Sequence, residues 1–357
     1  MHESTRPPSA GGGGARGRSR WGWEVWVSAG GLGIPVVDAD LEQALSAGLD
    51  DVEGRLLAAI KSDDEVLDEA SRHLVTAGGK RFRPTLTLLA AAFGDVDGPG
   101  VAPAAAVVEL THVASLYHDD VMDEAELRRG APSANARWDN TVAILTGDYL
   151  FACASVLLAD LGPDSVRIQA KTYQRLVQGQ LRETVGPAAG TDPVEHYLSV
   201  LSDKTASLIA ASARLGALHG GVAAEDVEVL ARYGERVGMA FQLADDLLDI
   251  AGESAISGKR PGTDLREGVA TLPVLYARRS ARPGDERLLE LISGPITDDD
   301  AHAEALALLR EHPAMSEARD EVRRWADDAR TTLATLPDVP ARRALEALCD
   351  TVVTRTR

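Results

Sequence analysis

Two aspartate clusters are the residues of this sequence best placed to do chemistry. Asp119-Asp120-Val121-Met122-Asp123 and Asp245-Asp246-Leu247-Leu248-Asp249 share one spacing. On a helix, residues i and i+4 lie on one face, so each cluster aims two carboxylates the same way. The flanking stretches Val113–Tyr117 and Met239–Ala244 are too apolar for plain solvated surface, and unpaired carboxylates are costly there. A hard cation is the natural neutraliser, and Mg²⁺ takes one or two carboxylates and completes its shell with water and phosphate. Other adjacent pairs, such as Asp50–Asp51, Asp63–Asp64, Asp298–Asp299 and Asp327–Asp328, read as helix caps or solvated faces. Cations supply the other half. Lys80, Arg81 and Arg83 follow Gly78-Gly79 just before an apolar helix, Arg128-Arg129-Gly130 follows the first cluster, Lys204-Thr205 sits in a helical segment, and Lys259 follows the second cluster. A helix start bearing such cations is an anion site. Together these residues fit Mg²⁺-bridged diphosphates that carry apolar tails.

The elements that must position them are helices. Leu41, Leu45, Leu49, Val52 and Leu56 recur at three- and four-residue steps. The same rhythm continues through Thr85–Phe93, Val101–Asp119, Asn140–Leu161, Val166–Val185, Pro193–His219 and Ala224–Ile250. Gly, Pro and Asp clusters break it. No set of alternating strands and no internal repeat is visible, and several segments are apolar on most faces. The expected fold is all-α, a large helical bundle with buried helices. Residues 1–37 read as a disordered N-terminal arm, with Gly11–Gly14, Arg16, Arg18 and Arg20. Its Trp21, Trp23 and Trp26 would also suit a peripheral contact with a membrane surface. Residues 38–357 are expected to form one domain.

The 357 residues carry 37 Lys+Arg against 55 Asp+Glu, a net charge of −18, which argues against a nucleic-acid partner. No uninterrupted run of about 18 apolar residues exists, so no membrane-spanning helix is expected. No secretory signal is legible at the start. Cys153 and Cys349 make no disulfide framework, and the expected location is the cytoplasm. Only five of the basic residues are Lys, so a Lys within a motif is the more informative.

Read together, Gly79-Lys80-Arg81-Phe82-Arg83-Pro84, His118-Asp119-Asp120-Val121-Met122-Asp123 with Arg128-Arg129-Gly130, Gly147-Asp148, Lys204-Thr205, Phe241-Gln242 leading into Asp245–Asp249, and Gly258-Lys259 resemble the trans-isoprenyl (polyprenyl) diphosphate synthase family. The resemblance runs from about Leu41 to Arg357. It implies an all-helical fold around a central apolar cavity, usually a homodimer, that condenses isopentenyl diphosphate head-to-tail with an allylic diphosphate. It further implies that Asp119 and Asp123, with Asp120 nearby, and Asp245, with Asp246 and Asp249, hold three Mg²⁺ ions on the allylic diphosphate. Arg128, Lys204 and Lys259 would bind that same diphosphate. Lys80, Arg83, His112 and Arg129 would hold isopentenyl diphosphate, and Thr205 and Gln242 would face the reacting carbon. Two departures stand out. Val269 follows Gly268 where the family often has Lys, and Asn135 stands where many short-chain members have His.

In this family the residues one turn before the first cluster form the cavity floor. Here they are Ala114 and Ser115, with Thr111, Val108 and Val107 further down the same side. Without an aromatic plug the tunnel could run about 10 Å deeper over roughly seven residues. The expectation is a long-chain product of about six to ten isoprene units, with a C20 product as the alternative if Tyr149, Phe151 or Met122 plugs the tunnel. A non-catalytic subunit of a heteromeric synthase is disfavoured because both clusters are complete. A terpene cyclase is disfavoured by Lys80, Arg83 and the intact Asp245–Asp249.

Overall fold

The computed structural model describes residues 36, 38–252 and 261–356. The N-terminal arm, Gly258 and Lys259 lie outside the described residues. Helices form almost everything else. They are α1 (Ala39–Ala59), α2 (Glu65–Thr76), α3 (Phe82–Ala91), α4 (Val101–Met122), α5 (Ala134–Arg137), α6 (Asn140–Leu161), α7 (Pro163–Val185), α8 (Pro193–Leu201), α9 (Ser207–His219) and α10 (Ala224–Ala251). Then come α11 (Thr263–Glu267), α12 (Leu272–Ser280), α13 (Glu286–Leu291), α14 (Asp299–Glu311), α15 (Pro313–Thr332) and α16 (Pro340–Thr354). A hairpin of two short strands, Leu127–Arg128 and Ala131–Pro132, separates α4 from α5. The all-α expectation holds.

The centre of the bundle is set by apolar runs too wide for one-sided burial. Most of α4 is buried, and α10 buries residues on every turn from Val227 to Ile250. One core joins α3, α9 and α10 to the C-terminal helices. A second joins α1, α2, α4 and α6. Glycine permits two close approaches that matter for the site. A side chain at Gly147 on α6 would collide with the His118 imidazole of α4. A Cβ at Gly179 on α7 would lie 2.5 Å from the Lys204 amide nitrogen.

Helix α6 is long and apolar enough to cross a membrane, with a mean hydropathy of 1.9 over its most apolar window. Counting only unbroken apolar runs overlooks it, because Thr146, Asp148 and Ser155 interrupt the run without outweighing its Ala, Val, Ile, Leu and Phe. In the structure α6 is a wall of the bundle, packed on α4 and α7. Both cysteines are buried and unpaired.

Candidate active site

Each aspartate cluster sits at the C-terminal end of a long helix, the first in the last turns of α4 and the second in those of α10. Neither helix has a basic residue in its last turn. The C-terminal end of a helix carries partial negative charge, so six carboxylates there add to an already negative potential. Cations must come from elsewhere in the fold.

The three carboxylates of the first cluster play different parts. Asp123 is exposed at the end of α4. Asp119 is half-buried, and burial pushes its carboxyl up to about 6. Lys204 pulls against that rise and Asp123 adds to it. Asp120 is 0% exposed and accepts a hydrogen bond from Arg128 Nε at 2.6 Å, while its Oδ2 has no partner. Asp119 and Asp123 are therefore the open pair, and Asp120 anchors Arg128.

The second cluster is tied down more tightly. Asp246, 9% exposed, is pushed up to about 6 by burial. It accepts from Gln242 Nε2 at 2.9 Å through Oδ1 and from the Tyr197 hydroxyl through Oδ2. With its amide nitrogen engaged, Gln242 offers its oxygen to Thr205 Oγ1 at 3.3 Å. Asp249 accepts from the backbone amides of Thr263 (3.2 Å) and Asp264 (3.1 Å) at the start of α11. Asp245 accepts from Arg355 Nη2 at 2.8 Å, and that guanidinium lies 5.1 Å over the Phe241 ring.

Lys204 and Thr205 connect the two clusters. They lie in a π-helical turn, Ser202–Ala206, between α8 and α9, an irregularity that recurs at functional sites. Lys204 pairs with Glu183 of α7 and is the strongest charge easing Asp119. The next residue, Thr205, reaches the second cluster through Gln242.

The anion site is built at the start of α3 and along α4. Gly78 and Gly79 take positive φ, and Arg81 and Arg129 are held there too, at 44° and 54°. Such strain at non-glycine residues collects at functional sites. Glu109, 2% exposed, accepts from Arg81 Nη1 at 2.9 Å and lies 3.7 Å from Arg129 Nη2. Arg81 also donates to Glu53 at 3.1 Å, and Arg129 to the Leu74 carbonyl at 2.7 Å. Arg83 keeps a buried Nε with no partner, and burial pulls its guanidinium down to about 10. His112 is held well below the usual range by burial and then by Arg83 and Arg129, so its imidazole is neutral. Lys80 is exposed at the rim. Among the described residues, three guanidiniums (Arg81, Arg83 and Arg129) thus meet two carboxylates, Glu53 and Glu109, and the surplus is positive.

Ala114 and Thr111 are fully buried and Ser115 nearly so, on the side of α4 below the first cluster. Met122 is exposed and the Tyr149 hydroxyl donates to the Lys61 carbonyl at 3.0 Å, so neither plugs that side. Phe151 packs on Tyr173 at 4.4 Å between ring centres. Val269 is exposed, and Asn135 donates to the Ala125 carbonyl at 3.2 Å. Among the described residues no three His, Cys, Asp or Glu side chains converge on one metal position. The donor set instead fits ions that share one or two carboxylates with a phosphate. Glu109, Glu183, Tyr197 and Arg355 were not singled out from the sequence. Only Glu109 had a signal, as a carboxylate in the apolar run of α4.

A carboxylate binds Mg²⁺ only when ionised. As pH falls through about 6, Asp119 and Asp246 take protons in the metal-free protein. Calorimetric Mg²⁺ titration in the presence of an unreactive allylic diphosphate analogue is expected to show affinity weakening at least about tenfold between pH 7.5 and roughly pH 5.5. A flat profile would mean that neither carboxyl holds metal.

The polyprenyl synthetase family description matches residues 64–309. The nonaprenyl diphosphate synthase of Mycobacterium tuberculosis is 53% identical over 324 residues, which span 90% of this chain and 97% of that protein. Geranylgeranyl pyrophosphate synthase from Corynebacterium glutamicum, solved with calcium and isoprenyl diphosphate, superposes with a TM-score of 0.82 at 46% identity, covering 90% of this chain and 99% of that one. Decaprenyl diphosphate synthase from Rhodobacter capsulatus gives 0.81 at 38% identity, covering 89% and 99%. With acidic clusters at two helix ends, a cation surplus beside them and these likenesses over nine-tenths of its length, the chain belongs to the polyprenyl synthetase family.

Proposed function

We propose that this chain is an Mg²⁺-dependent prenyltransferase that condenses isopentenyl diphosphate with an allylic diphosphate, and that its product is a long-chain trans-polyprenyl diphosphate of about C30–C50. The carrying observation is that adjacent residues of one π-turn serve both acidic clusters, Lys204 through Asp119 and Thr205 through Gln242 and Asp246. One diphosphate held there would touch both clusters.

In this reading Asp119, Asp123, Asp245, Asp246 and Asp249 hold the ions, with Asp120 fixing Arg128 against the same diphosphate. Bound Mg²⁺ supplies charge stabilisation for the departing diphosphate. Arg128 and Lys204 add fixed positive charge where negative charge builds. Lys80, Arg83, His112 and Arg129 hold isopentenyl diphosphate, and its double bond is thereby kept close to the ionising carbon. Thr205 and Gln242 orient the allylic end. The apolar walls below exclude water that would quench a carbocation. Lys259, outside the described residues, is assigned to the allylic diphosphate on the family resemblance alone.

Ala114 and Ser115 support the long product, as does the likeness to a nonaprenyl diphosphate synthase. Ala114→Phe is expected to shorten the principal product by at least one isoprene unit without loss of first-condensation rate, read by chromatography of the dephosphorylated products. An unchanged product would remove the floor from this position. The likeness to a geranylgeranyl pyrophosphate synthase supports a C20 product as the second reading.

Exposed apolar residues on α6 and α7 (Ile144, Leu145, Val156, Val177, Leu181 and Val185) support a homodimer packed through these helices. A cytoplasmic enzyme that meets the membrane only to release its product is consistent with the two buried thiols. The function itself is tested by incubating purified protein with isopentenyl diphosphate, Mg²⁺ and each of several allylic primers, then sizing the products. No elongation with any primer would leave the non-catalytic subunit.

A further inference from the structure

Helix α4 packs on α6 and α9, and α7 packs on the same two helices. The four therefore form a square in which α4 and α7 stand at opposite corners. One side-chain pair spans that diagonal. Gln169 of α7, 7% exposed, donates through Nε2 to Thr111 Oγ1 of α4 at 2.6 Å. Thr111 Oγ1 in turn donates to the Val107 carbonyl at 2.9 Å. A hydroxyl that gives its proton to Val107 can only accept from Gln169, which fixes the orientation of the amide. The Gln169 Oε1 is left buried with no partner. Burying a half-satisfied amide costs stability.

We propose that the Gln169–Thr111 hydrogen bond is a bar across the product channel and that Gln169 sets chain length. The inference rests on the prenyltransferase reading above. Thr111 lies eight residues before Asp119, about 12 Å below it at roughly 1.5 Å per residue. An isoprene unit adds four chain bonds, about 5 Å when extended. An allylic tail of between about two and three units therefore reaches the bar. Beneath it, Ala104, Val108, Leu208 and Leu215 pack with Leu161 and Ile168, a layer of aliphatic side chains. A longer tail must break the Gln169–Thr111 bond to enter that layer. The bar is held by one hydrogen bond between neutral groups, which makes it a checkpoint and not a wall.

The test compares wild type with Gln169→Ala, which removes the bar, and Gln169→Met, which keeps its volume but cannot bond Thr111. Product sizing is expected to show the principal product at least one isoprene unit longer in both variants, with loss of any intermediate near fifteen to twenty carbons. A second readout needs no turnover. Calorimetry with Mg²⁺ and prenyl diphosphates of ten, fifteen, twenty and thirty carbons, without isopentenyl diphosphate, reports affinity against tail length. In wild type the gain per unit is expected to flatten beyond about fifteen carbons. In Gln169→Met the thirty-carbon ligand is expected to bind about tenfold tighter than it does to wild type. If wild type elongates and both variants keep its product length and its affinity profile, the bar is overturned while the prenyltransferase reading survives. If wild type fails to elongate but its affinity profile still breaks and Gln169→Met removes the break, the bar stands and the catalytic reading falls.

Discussion

Asp119→Asn is expected to lower kcat/KM by about 10³-fold and, in the metal-free protein, to raise Tm. The loss follows from Asp119 being the half-buried member of the open pair: it is the carboxylate whose charge is most expensive without a cation and most useful with one. Removing one preorganised charge contact to a developing leaving group costs on the order of 10²–10³ in rate, and losing an ion with it adds to that. The gain in Tm has the opposite origin. Burial holds this carboxyl at about 6 in the folded chain against its ordinary 3.8. Above about pH 6 it is charged in both states, and the folded state bears the desolvation cost. As pH falls through 6 the folded state takes the proton first, so metal-free stability rises toward acid. An amide removes the charge at every pH. After discounting for solvent screening the gain is on the order of 1 kcal/mol, about 2–4 °C in Tm at neutral pH. Calorimetry at pH 7.5 and 5 checks the sign, because the advantage of the variant is expected to shrink at the lower pH. A variant that is less stable than wild type at pH 7.5, or that retains full activity, would show Asp119 to be a structural carboxylate.

Arg83→Met is expected to raise KM for isopentenyl diphosphate by about 100-fold while leaving KM for the allylic primer within a factor of about three. Glu109 is already engaged by Arg81 and Arg129, and Glu53 by Arg81. Arg83 is the cation whose buried Nε has no acceptor. A charged hydrogen bond to an anion in such a place is worth about 1.5–3 kcal/mol, and in this range each 1.4 kcal/mol is tenfold in binding. Met preserves the buried stem, so packing against the start of α3 is kept. Because a buried donor without an acceptor is removed, the metal-free variant is expected to be no less stable than wild type. Steady-state kinetics with each substrate varied in turn separates the outcomes. An equal rise in both KM values would mean that Arg83 shapes the fold of the site and not one substrate's diphosphate.

The two acidic clusters, the cation motifs and the helical rhythm were legible in the sequence because each rests on local order. An i, i+4 pair shares a face wherever its helix lies, and a Gly-Gly turn before an apolar run starts a helix whatever packs on it. Lys80, Arg83 and Arg129 stand in such motifs, while their roles and the naming of His112 came from the family resemblance. Less was decided about what each carboxylate does. Asp119, Asp120 and Asp123 look equivalent in the chain, yet one is a half-buried open carboxylate, one the anchor of Arg128 and one an exposed helix end. The roughly 100° turn between neighbours separates their directions, but what stands opposite each is encoded by no spacing. Length and hydropathy alone would pass α6 as a membrane span, and only its packing on α4 and α7 shows it as a wall of the bundle.

By itself, then, the sequence determined an all-α bundle with two acidic helix ends and a cation-rich turn, since each is a property of contiguous residues. Tertiary structure alone decided that Tyr197 and Gln242 share Asp246, that Glu183 holds Lys204, that Arg355 reaches Asp245 across 110 residues, and that Gln169 meets Thr111 across 58. Apart from Gln242 and Asp246, which lie one turn apart on α10, those partners stand on different elements. Whether a buried polar group finds a partner depends on the distance between helices, and that distance is set by packing.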